Sequence, residues 1–186
     1  MGGKEYLHTK KKKMEARQLV RKETNTLTTS SQKLLTLYSP KNCLSKGAKI
    51  KQVADCFKSK APTIGKMQRT QGREFTNAYM MAWLVYLNEV LSLNKQMSEE
   101  QIRLCAQMIL DDYYMLNVAD LTLLFKRVLK GDYGEFYERL SIDKIQKIFK
   151  SYFEERCGEA QTLTLRTHND LKSDDTFAFS DNPRRR

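Results

Sequence analysis

Histidine is scarce in this chain, and its scarcity bears directly on catalysis. The 186 residues contain two histidines, His8 and His168. Both fall in segments whose composition is typical of tails. Imidazole is the usual general base at neutral pH and a common zinc ligand. Because no histidine is expected in the folded core, the sequence predicts neither Ser-His nor Cys-His catalysis and no histidine-based zinc site.

Closely spaced cysteine pairs are also missing. The four cysteines, Cys43, Cys56, Cys105 and Cys157, are widely separated and form no C-x-x-C motif. This spacing does not fit a zinc knuckle, and no secretory leader places the chain in an oxidising compartment. We therefore expect four reduced thiols. Cys105 lies on an apolar helical face and is expected to be buried as a small hydrophobic residue.

Long apolar runs are absent as well. Nowhere do about 18 apolar residues follow one another, and the basic start MGGKEYLHTKKKK has no apolar segment behind it. The sequence therefore predicts neither a signal peptide nor a membrane span. Tyr6 stands where a myristoylation signal would carry Ser or Thr. These features predict a cytoplasmic protein without a membrane partner.

Two short motifs resemble binding sites but lack essential parts. Gly65-Lys66 precedes Gly72, yet the G-x-x-x-x-G-K-[ST] order of a phosphate loop is absent. Asp111 and Asp112 form a carboxylate pair, but a hard cation needs further oxygen ligands. No cofactor, metal ion or small-molecule substrate is predicted. Since acids at a helix C-terminus oppose the helix dipole, we expect this pair to contact a basic group or a partner.

Positive charge is abundant and unevenly distributed. The formal net charge is +11, and residues 1–25 hold 8 Lys or Arg against 3 acids, while residues 26–77 hold 10 against 2. A field of this sign attracts polyanions such as nucleic acid or an acidic protein surface. The N-terminal half is therefore predicted to form a polyanion-contacting surface.

Two segments supply the predicted phosphate contacts. Residues 1–25 predict a frayed helix or an extended arm, which either contacts phosphates or only aids solubility. Residues 46–60 predict one short basic amphipathic helix, although any surface helix with a lysine-rich outer face has the same pattern. The residues predicted to bind nucleic acid are Lys10, Lys11, Lys12, Lys13, Arg17, Lys49, Lys51, Lys58 and Lys60.

The middle of the chain predicts a helical core. Residues 62–74 are interpreted as a basic connector that leads into the longest apolar helix, over residues 72–93, with Trp83 in the core rather than at a base-stacking surface. Ser98 and Gln101 match a capping box, which predicts the start of the next helix.

The stretch 120–156 predicts two amphipathic helices joined by an aromatic elbow. Gly131 follows the last apolar residue of the first helix, where a left-handed glycine commonly ends a helix. Ser141 is a suitable N-cap for the second helix. The elbow is predicted to be either a partner-binding face or a structural closure of the core. Its residues are Gly131, Tyr133, Gly134, Phe136 and Tyr137.

Composition divides the chain into three regions. We predict a basic arm over residues 1–25, one helical domain over residues 26–157 and a disordered tail over residues 158–186, where Thr, Asp, Asn and Ser dominate. The predicted fold is all-α, a single compact domain of about four to six helices. The tail sequence DDTFAFSD also fits a short linear motif.

The order of motifs over residues 63–156 resembles a known family. TIGK, F-T-x-A, W-L-V-x-L-N, M-S-x-E-Q-I, D-D-Y-Y, A-D-L, K-G-D-Y-G-E-F-Y-E-R-L and Y-F-E-E-R follow one another. This order is similar to that of small, largely uncharacterised helical proteins from phages and integrated mobile elements of Bacteroidota. The resemblance implies an all-helical domain in a bacterial or phage-encoded cytoplasmic setting, with a role in DNA replication or element maintenance. It supplies no catalytic residues.

Together, these features predict a non-enzymatic, DNA-associated accessory protein of a phage or mobile element. Its basic N-terminal half would contact phosphates without sequence preference. The alternative is a helical protein–protein adaptor that docks another protein, for example a replication factor, through the elbow and does not bind nucleic acid directly. No enzyme is expected, because no carboxylate pair is marked out by its spacing for acid–base chemistry.

Overall fold

Helices make up the regular structure of the computed structural model, which describes residues 29–91, 95–134, 136 and 140–178. The helices are α1 (Thr29–Leu37), α2 (Pro40–Lys46), α3 (Val53–Phe57), α4 (Ile64–Gln71), α5 (Arg73–Leu91), α6 (Glu99–Asp112), α7 (Val118–Lys130) and α8 (Ile142–Ala178). A 3-10 turn, Gly47–Lys49, joins α2 to α3. The described residues include no β-strand, which confirms a mostly helical fold.

Helix α7 lies at the centre of one compact helical region. Every residue from Val118 to Phe125 is buried, and α2, the 3-10 turn and α3 all pack against this helix. The first two turns of α7 are thus covered on all sides and belong to the interior of the fold, whereas Leu129 and Lys130 at its end are exposed. The sequence predicted only one buried face for α7.

An aromatic cluster joins the helices of the core. Trp83 is fully buried, as predicted, and its ring lies 4.8 Å from that of Phe125. Phe125 lies 6.4 Å from Phe149 of α8, and Tyr113 lies 5.5 Å from Phe149. These tilted and edge-on arrangements are the ones that aromatic rings prefer. The cluster therefore links α5, α6, α7 and α8 in one core.

Local signals in the sequence define several helix ends. The Ser98 hydroxyl accepts from the Gln101 amide at 3.3 Å, and the Gln101 side chain accepts in return from the Ser98 amide at 2.9 Å, which confirms the capping box. Gly131 ends α7 with a left-handed φ of 86°. Arg73 forms an ion pair with Asp111 at 2.7 Å, so one of the acids at the end of α6 contacts a basic group, which is one of the two alternatives predicted for this pair.

The described residues form eight helices, and the predicted number was too low because the short helices α2, α3 and α4 were missed or merged. Residues 46–60 do not form one helix. The Asp55 carboxylate accepts from the Lys51 amide at 3.0 Å and from the Gln52 amide at 3.2 Å, which starts a new helix at Val53. The chain around Ile50 is extended as a result.

The predicted connector over residues 62–74 contains a helix, α4. The Thr63 hydroxyl caps α4, and both Ile64 and Met67 are fully buried. The Ile64 amide donates to the Leu116 carbonyl at 2.8 Å, which ties α4 to the loop before α7. Two apolar residues in eight give too little periodicity to predict this helix from sequence.

The prediction of a disordered tail from residue 158 is wrong as far as Ala178, because α8 continues to that residue. The hydroxyls of Thr162, Thr164 and Thr167 each donate to the carbonyl four residues earlier. The helix backbone thus satisfies these polar groups, so a polar composition is compatible with helix here. Residues 179–186 and the basic arm of residues 1–25 lie outside the described residues.

Gly47 packs closely against α7, and we predict that Gly47→Ala lowers the free energy of unfolding by about 1–3 kcal/mol. A Cβ atom at Gly47 would lie 2.7 Å from the Thr122 Cγ2 atom. Thr122 is held in place because its hydroxyl donates to the Val118 carbonyl at 2.7 Å. The Gly47 φ of −74° suits any residue, so the effect is steric. Urea denaturation measures it.

Gly158→Ala provides the control, because a Cβ atom at Gly158 meets nothing within 4 Å. Inside α8 this substitution should raise stability by about 0.5–1 kcal/mol. The double variant Gly47→Ala/Thr122→Ser removes the clashing methyl group and should recover part of the loss. A Gly47→Ala protein as stable as the wild type would contradict this account of the packing.

Candidate functional site

A buried carboxylate, that of Asp120, connects α7 to its neighbours. Asp120 is fully buried. It accepts hydrogen bonds from the backbone amide of Asn117 at 2.8 Å and from the Tyr152 hydroxyl at 2.9 Å. It also forms an ion pair with Arg156 at 3.0 Å. A buried charge is tolerated only when it is paired and hydrogen-bonded. The three donors meet this requirement for Asp120.

The same network extends to α3. The Asn117 side-chain amide donates to the Cys56 carbonyl at 3.0 Å, and the Cys56 sulfur lies 3.6 Å from the Tyr152 hydroxyl. The Cys56 thiol also lies 3.8 Å from the Gln52 carbonyl oxygen, to which it can donate. The Arg156 guanidinium lies 4.5 Å from the centre of the Phe57 ring. Helices α3, α7 and α8 are thus joined through one polar cluster.

Burial keeps the thiol and phenol groups of this cluster protonated. It raises the pKa of Cys56 to about 12, and burial together with the nearby Asp120 charge raises the pKa of Tyr152 above its ordinary value. Burial also raises the pKa of Cys105 to about 12. A thiolate is the nucleophilic form of cysteine, so neither thiol is activated at neutral pH. All four cysteines are free, as predicted.

The structure separates the predicted nucleic-acid-binding lysines. Lys49 lies in the 3-10 turn, Lys51 in the extended segment that follows, and Lys58 and Lys60 after α3. All four are exposed. The other five predicted residues, Lys10, Lys11, Lys12, Lys13 and Arg17, lie outside the described residues.

One predicted lysine, Lys51, lines a surface depression of about 340 Å³ between the 3-10 turn and the C-terminal half of α7. We call this feature the basic depression, because four cations and one carboxylate line it. Its lining residues are Ala48, Ile50, Lys51, Leu123, Lys126, Arg127, Lys130 and Asp132. Lys126, Arg127 and Lys130 were not predicted as binding residues. Their position off the apolar face of α7 was the only signal for them in the sequence.

Two cations of the basic depression are held in place by the surrounding structure. The Lys126 ammonium donates to the Gly47 carbonyl and to the Ile50 carbonyl, and carbonyl dipoles hold the ammonium group without neutralising its charge. Arg127 binds Glu155 through two hydrogen bonds of 2.5 and 3.0 Å. These bonds raise the pKa of Arg127 above its ordinary value, so this guanidinium stays charged.

The elbow packs against the core. Tyr133 and Phe136 are half-buried and contact the hydrophobic core, and the Lys144 ammonium lies 4.0 Å from the centre of the Phe136 ring. Gly134, like Gly131, has a left-handed φ, of 81°. This packing favours the structural alternative for the elbow. Tyr137 lies outside the described residues.

A second depression, of about 440 Å³, lies beside the elbow and mixes charges of both signs. Its lining residues are Tyr133, Ser141, Asp143, Lys144, Lys147 and Ile148. Lys147 forms an ion pair with Asp143 at 3.0 Å, and Lys144 contacts Phe136. Among the described residues, its positive charge is therefore less concentrated than that of the basic depression.

Comparisons of the chain with family models, with curated proteins and with solved structures found no match. The resemblance to phage and mobile-element proteins therefore stays a prediction. Within the described residues, no cluster of three or more His, Cys, Asp or Glu side chains could hold a metal ion. No helix in the same part of the chain is long and apolar enough to cross a membrane.

The two carboxylate–guanidinium pairs between α7 and α8 should differ in their contribution to stability. Asp120→Asn leaves Arg156, whose side chain is only 10% exposed, without its counter-charge. We expect the free energy of unfolding to fall by about 3–5 kcal/mol. Glu155→Gln breaks the pair with Arg127 nearer the surface and should cost less than about 1 kcal/mol. Guanidinium denaturation tests this, and equal losses would contradict the role given to Asp120.

Thiol reactivity should follow burial. Cys157 is half-buried, whereas Cys43, Cys56 and Cys105 are buried, and burial raises the pKa of each of these three. At neutral pH, N-ethylmaleimide should modify Cys157 first, as measured by mass spectrometry of peptides. Labelling of Cys56 as fast as that of Cys157 would contradict the burial.

The raised thiol pKa values also predict a loss of stability at alkaline pH. The ordinary pKa of Cys56 is 9.0 and its folded-state pKa is about 12. Between these values the unfolded chain releases a proton that the folded chain keeps, so the free energy of unfolding falls as pH rises. Urea denaturation across this range should show the decrease, and a smaller decrease is expected for Cys56→Ala.

Proposed function

We propose that this protein is a non-enzymatic, DNA-associated accessory protein of a phage or mobile element, and that it acts in the cytoplasm. Its basic surface would contact the phosphates of nucleic acid. The observation that carries the phosphate-binding part is the basic depression, where Lys51 joins Lys126, Arg127 and Lys130 around a concave surface. The phage or mobile-element setting rests on the resemblance in sequence.

The four predicted lysines that the structure describes are exposed, as contacts to the nucleic-acid backbone require. Lys51 lines the basic depression, Lys49 stands two residues before it in the chain, and Lys58 and Lys60 follow after α3. Lysine contacts a phosphate as a point charge and reads no base edge. Binding through these residues would therefore be largely independent of sequence and would weaken as salt concentration rises.

A non-enzymatic role is supported by the state of the buried thiols. The pKa values of Cys56 and Cys105, both about 12, keep them protonated where a cysteine nucleophile would need to ionise. In the polar cluster, Asp120 is occupied by its three donors. Its hydrogen bonds serve the contact between helices rather than a reacting group.

The second candidate function, a protein–protein adaptor, is favoured by exposed apolar residues on α6 and the loop after it. Leu104 and Met108 lie one turn apart on α6 and are 51% and 37% exposed, and Tyr114 and Met115 are each at least half exposed. Exposed apolar patches commonly mark binding sites for other proteins. An adaptor would therefore use this surface in preference to the elbow, where Tyr133 and Phe136 pack against the core.

DNA binding with a strong salt dependence is the expected result. Fluorescence anisotropy with a labelled DNA duplex should show binding at low salt, with affinity falling as salt rises. Replacing Lys49, Lys51, Lys58 and Lys60 by alanine should reduce the slope of log K against log salt by about 0.9 for each phosphate that the variant no longer neutralises. No binding at low salt, or binding that salt does not weaken, would contradict the proposal.

A matched variant controls for net charge. Lys33, Lys41, Lys95 and Lys150 are also exposed, and their replacement by alanine removes the same charge from other surfaces. This variant should keep most of the wild-type salt slope. A protein partner that remains bound after nuclease treatment and dissociates on Leu104→Glu would instead favour the adaptor.

A further inference from the structure

The basic depression combines two kinds of surface. Its cations come from two separate elements, Lys51 from the extended segment and Lys126, Arg127 and Lys130 from α7. Apolar residues share the lining: Ala48 is exposed, Ile50 is half-buried and Leu123 is buried. A ligand that fits this lining carries both negative charge and an apolar or planar body.

The size of the basic depression also exceeds what a bare anion requires. Its volume of about 340 Å³ lies within the range of small-molecule sites, about 300–1,000 Å³. Asp132 adds one carboxylate to the lining, which can accept a hydrogen bond from a hydroxyl or amino group of the ligand. A carboxylate repels a simple anion, so its presence favours a ligand that has donor groups as well as a phosphate.

Part of the site is organised before any ligand arrives. The carbonyls of Gly47 and Ile50 hold the Lys126 ammonium, and Glu155 holds the Arg127 guanidinium. The Asp132 amide donates to the Arg127 carbonyl at 3.0 Å, which fixes the backbone beside Asp132. Side chains that are already ordered lose less conformational entropy when a ligand binds.

We propose that the basic depression is a discrete site for one nucleotide unit, either free or within a strand. Lys51, Lys126 and Lys130 would take the phosphate, and the accessible apolar side chains of Ala48 and Ile50 would take the base or sugar. This inference rests on the proposed function and deepens it. The proposed function requires only contacts to the nucleic-acid backbone, whereas this inference assigns a defined pocket and a ligand class.

NMR titration of the ¹⁵N-labelled full chain tests the site. The probes are deoxyadenosine 5′-monophosphate, inorganic phosphate and a short single-stranded oligodeoxynucleotide. The nucleotide should shift the amide signals of Ala48, Lys51 and Gly131, and it should bind about tenfold more tightly than inorganic phosphate because the base adds apolar contact. If the oligonucleotide displaces the nucleotide, the natural ligand is a nucleotide within a strand. If it does not, the natural ligand is a free nucleotide.

Two double variants with equal loss of charge complete the test. Lys51→Ala/Lys130→Ala removes two exposed cations of the basic depression, and Lys33→Ala/Lys41→Ala removes two exposed cations of α1 and α2. The first should weaken nucleotide binding by about tenfold or more, and the second should change it little. Circular dichroism and the dispersion of the amide signals establish that both variants are folded.

Several outcomes would overturn the inference. They are equal losses in the two double variants, equal affinity for the nucleotide and inorganic phosphate, and amide shifts spread over all surface lysines. If these occur while duplex DNA still binds with a strong salt dependence, the discrete site is wrong and the proposed function stands. If duplex DNA does not bind but the nucleotide shifts the amides of the basic depression, the proposed function is wrong and the nucleotide site stands.

Discussion

The carboxylate of Asp120 is the constraint on which the rest of the structure depends. A fully buried charge requires its partners in fixed positions, and here they come from the N-cap of α7 and from Tyr152 and Arg156 of α8. The buried pair is therefore better understood as fixing the register of α7 and α8 than as adding net stability.

The sequence allowed prediction where the signal is local. The Ser98–Gln101 capping box and the left-handed Gly131 depend on neighbours within one turn, and the position of Trp83 follows from helical periodicity. The Asp120 network could not be predicted in the same way, because Arg156 stands 36 residues away. Asn117 and Asp120 form a capping box at the start of α7, yet nothing nearby in the sequence shows that the same carboxylate pairs with α8.

For the candidate site as well, the sequence composition predicted the charge but not which charged residues lie together. Lysine content predicted a basic N-terminal half, and Lys51 does line the basic depression. The cations opposite it, Lys126, Arg127 and Lys130, belong to a segment whose overall charge is close to neutral. The depression forms because Gly47 approaches Thr122 and brings two remote segments together. A count of charges along the chain cannot show that two distant segments are in contact.

The contact between Lys126 and the Gly47 carbonyl spans 79 residues of sequence. The basic depression therefore exists only while the 3-10 turn stays docked on α7, and its walls separate when the turn undocks. Anything that occupies the depression in the folded chain alone must stabilise the fold by mass action. Such a ligand would act as a reversible crosslink between two distant parts of the chain. Binding of the ligand to the basic depression and folding of the chain would then be coupled equilibria.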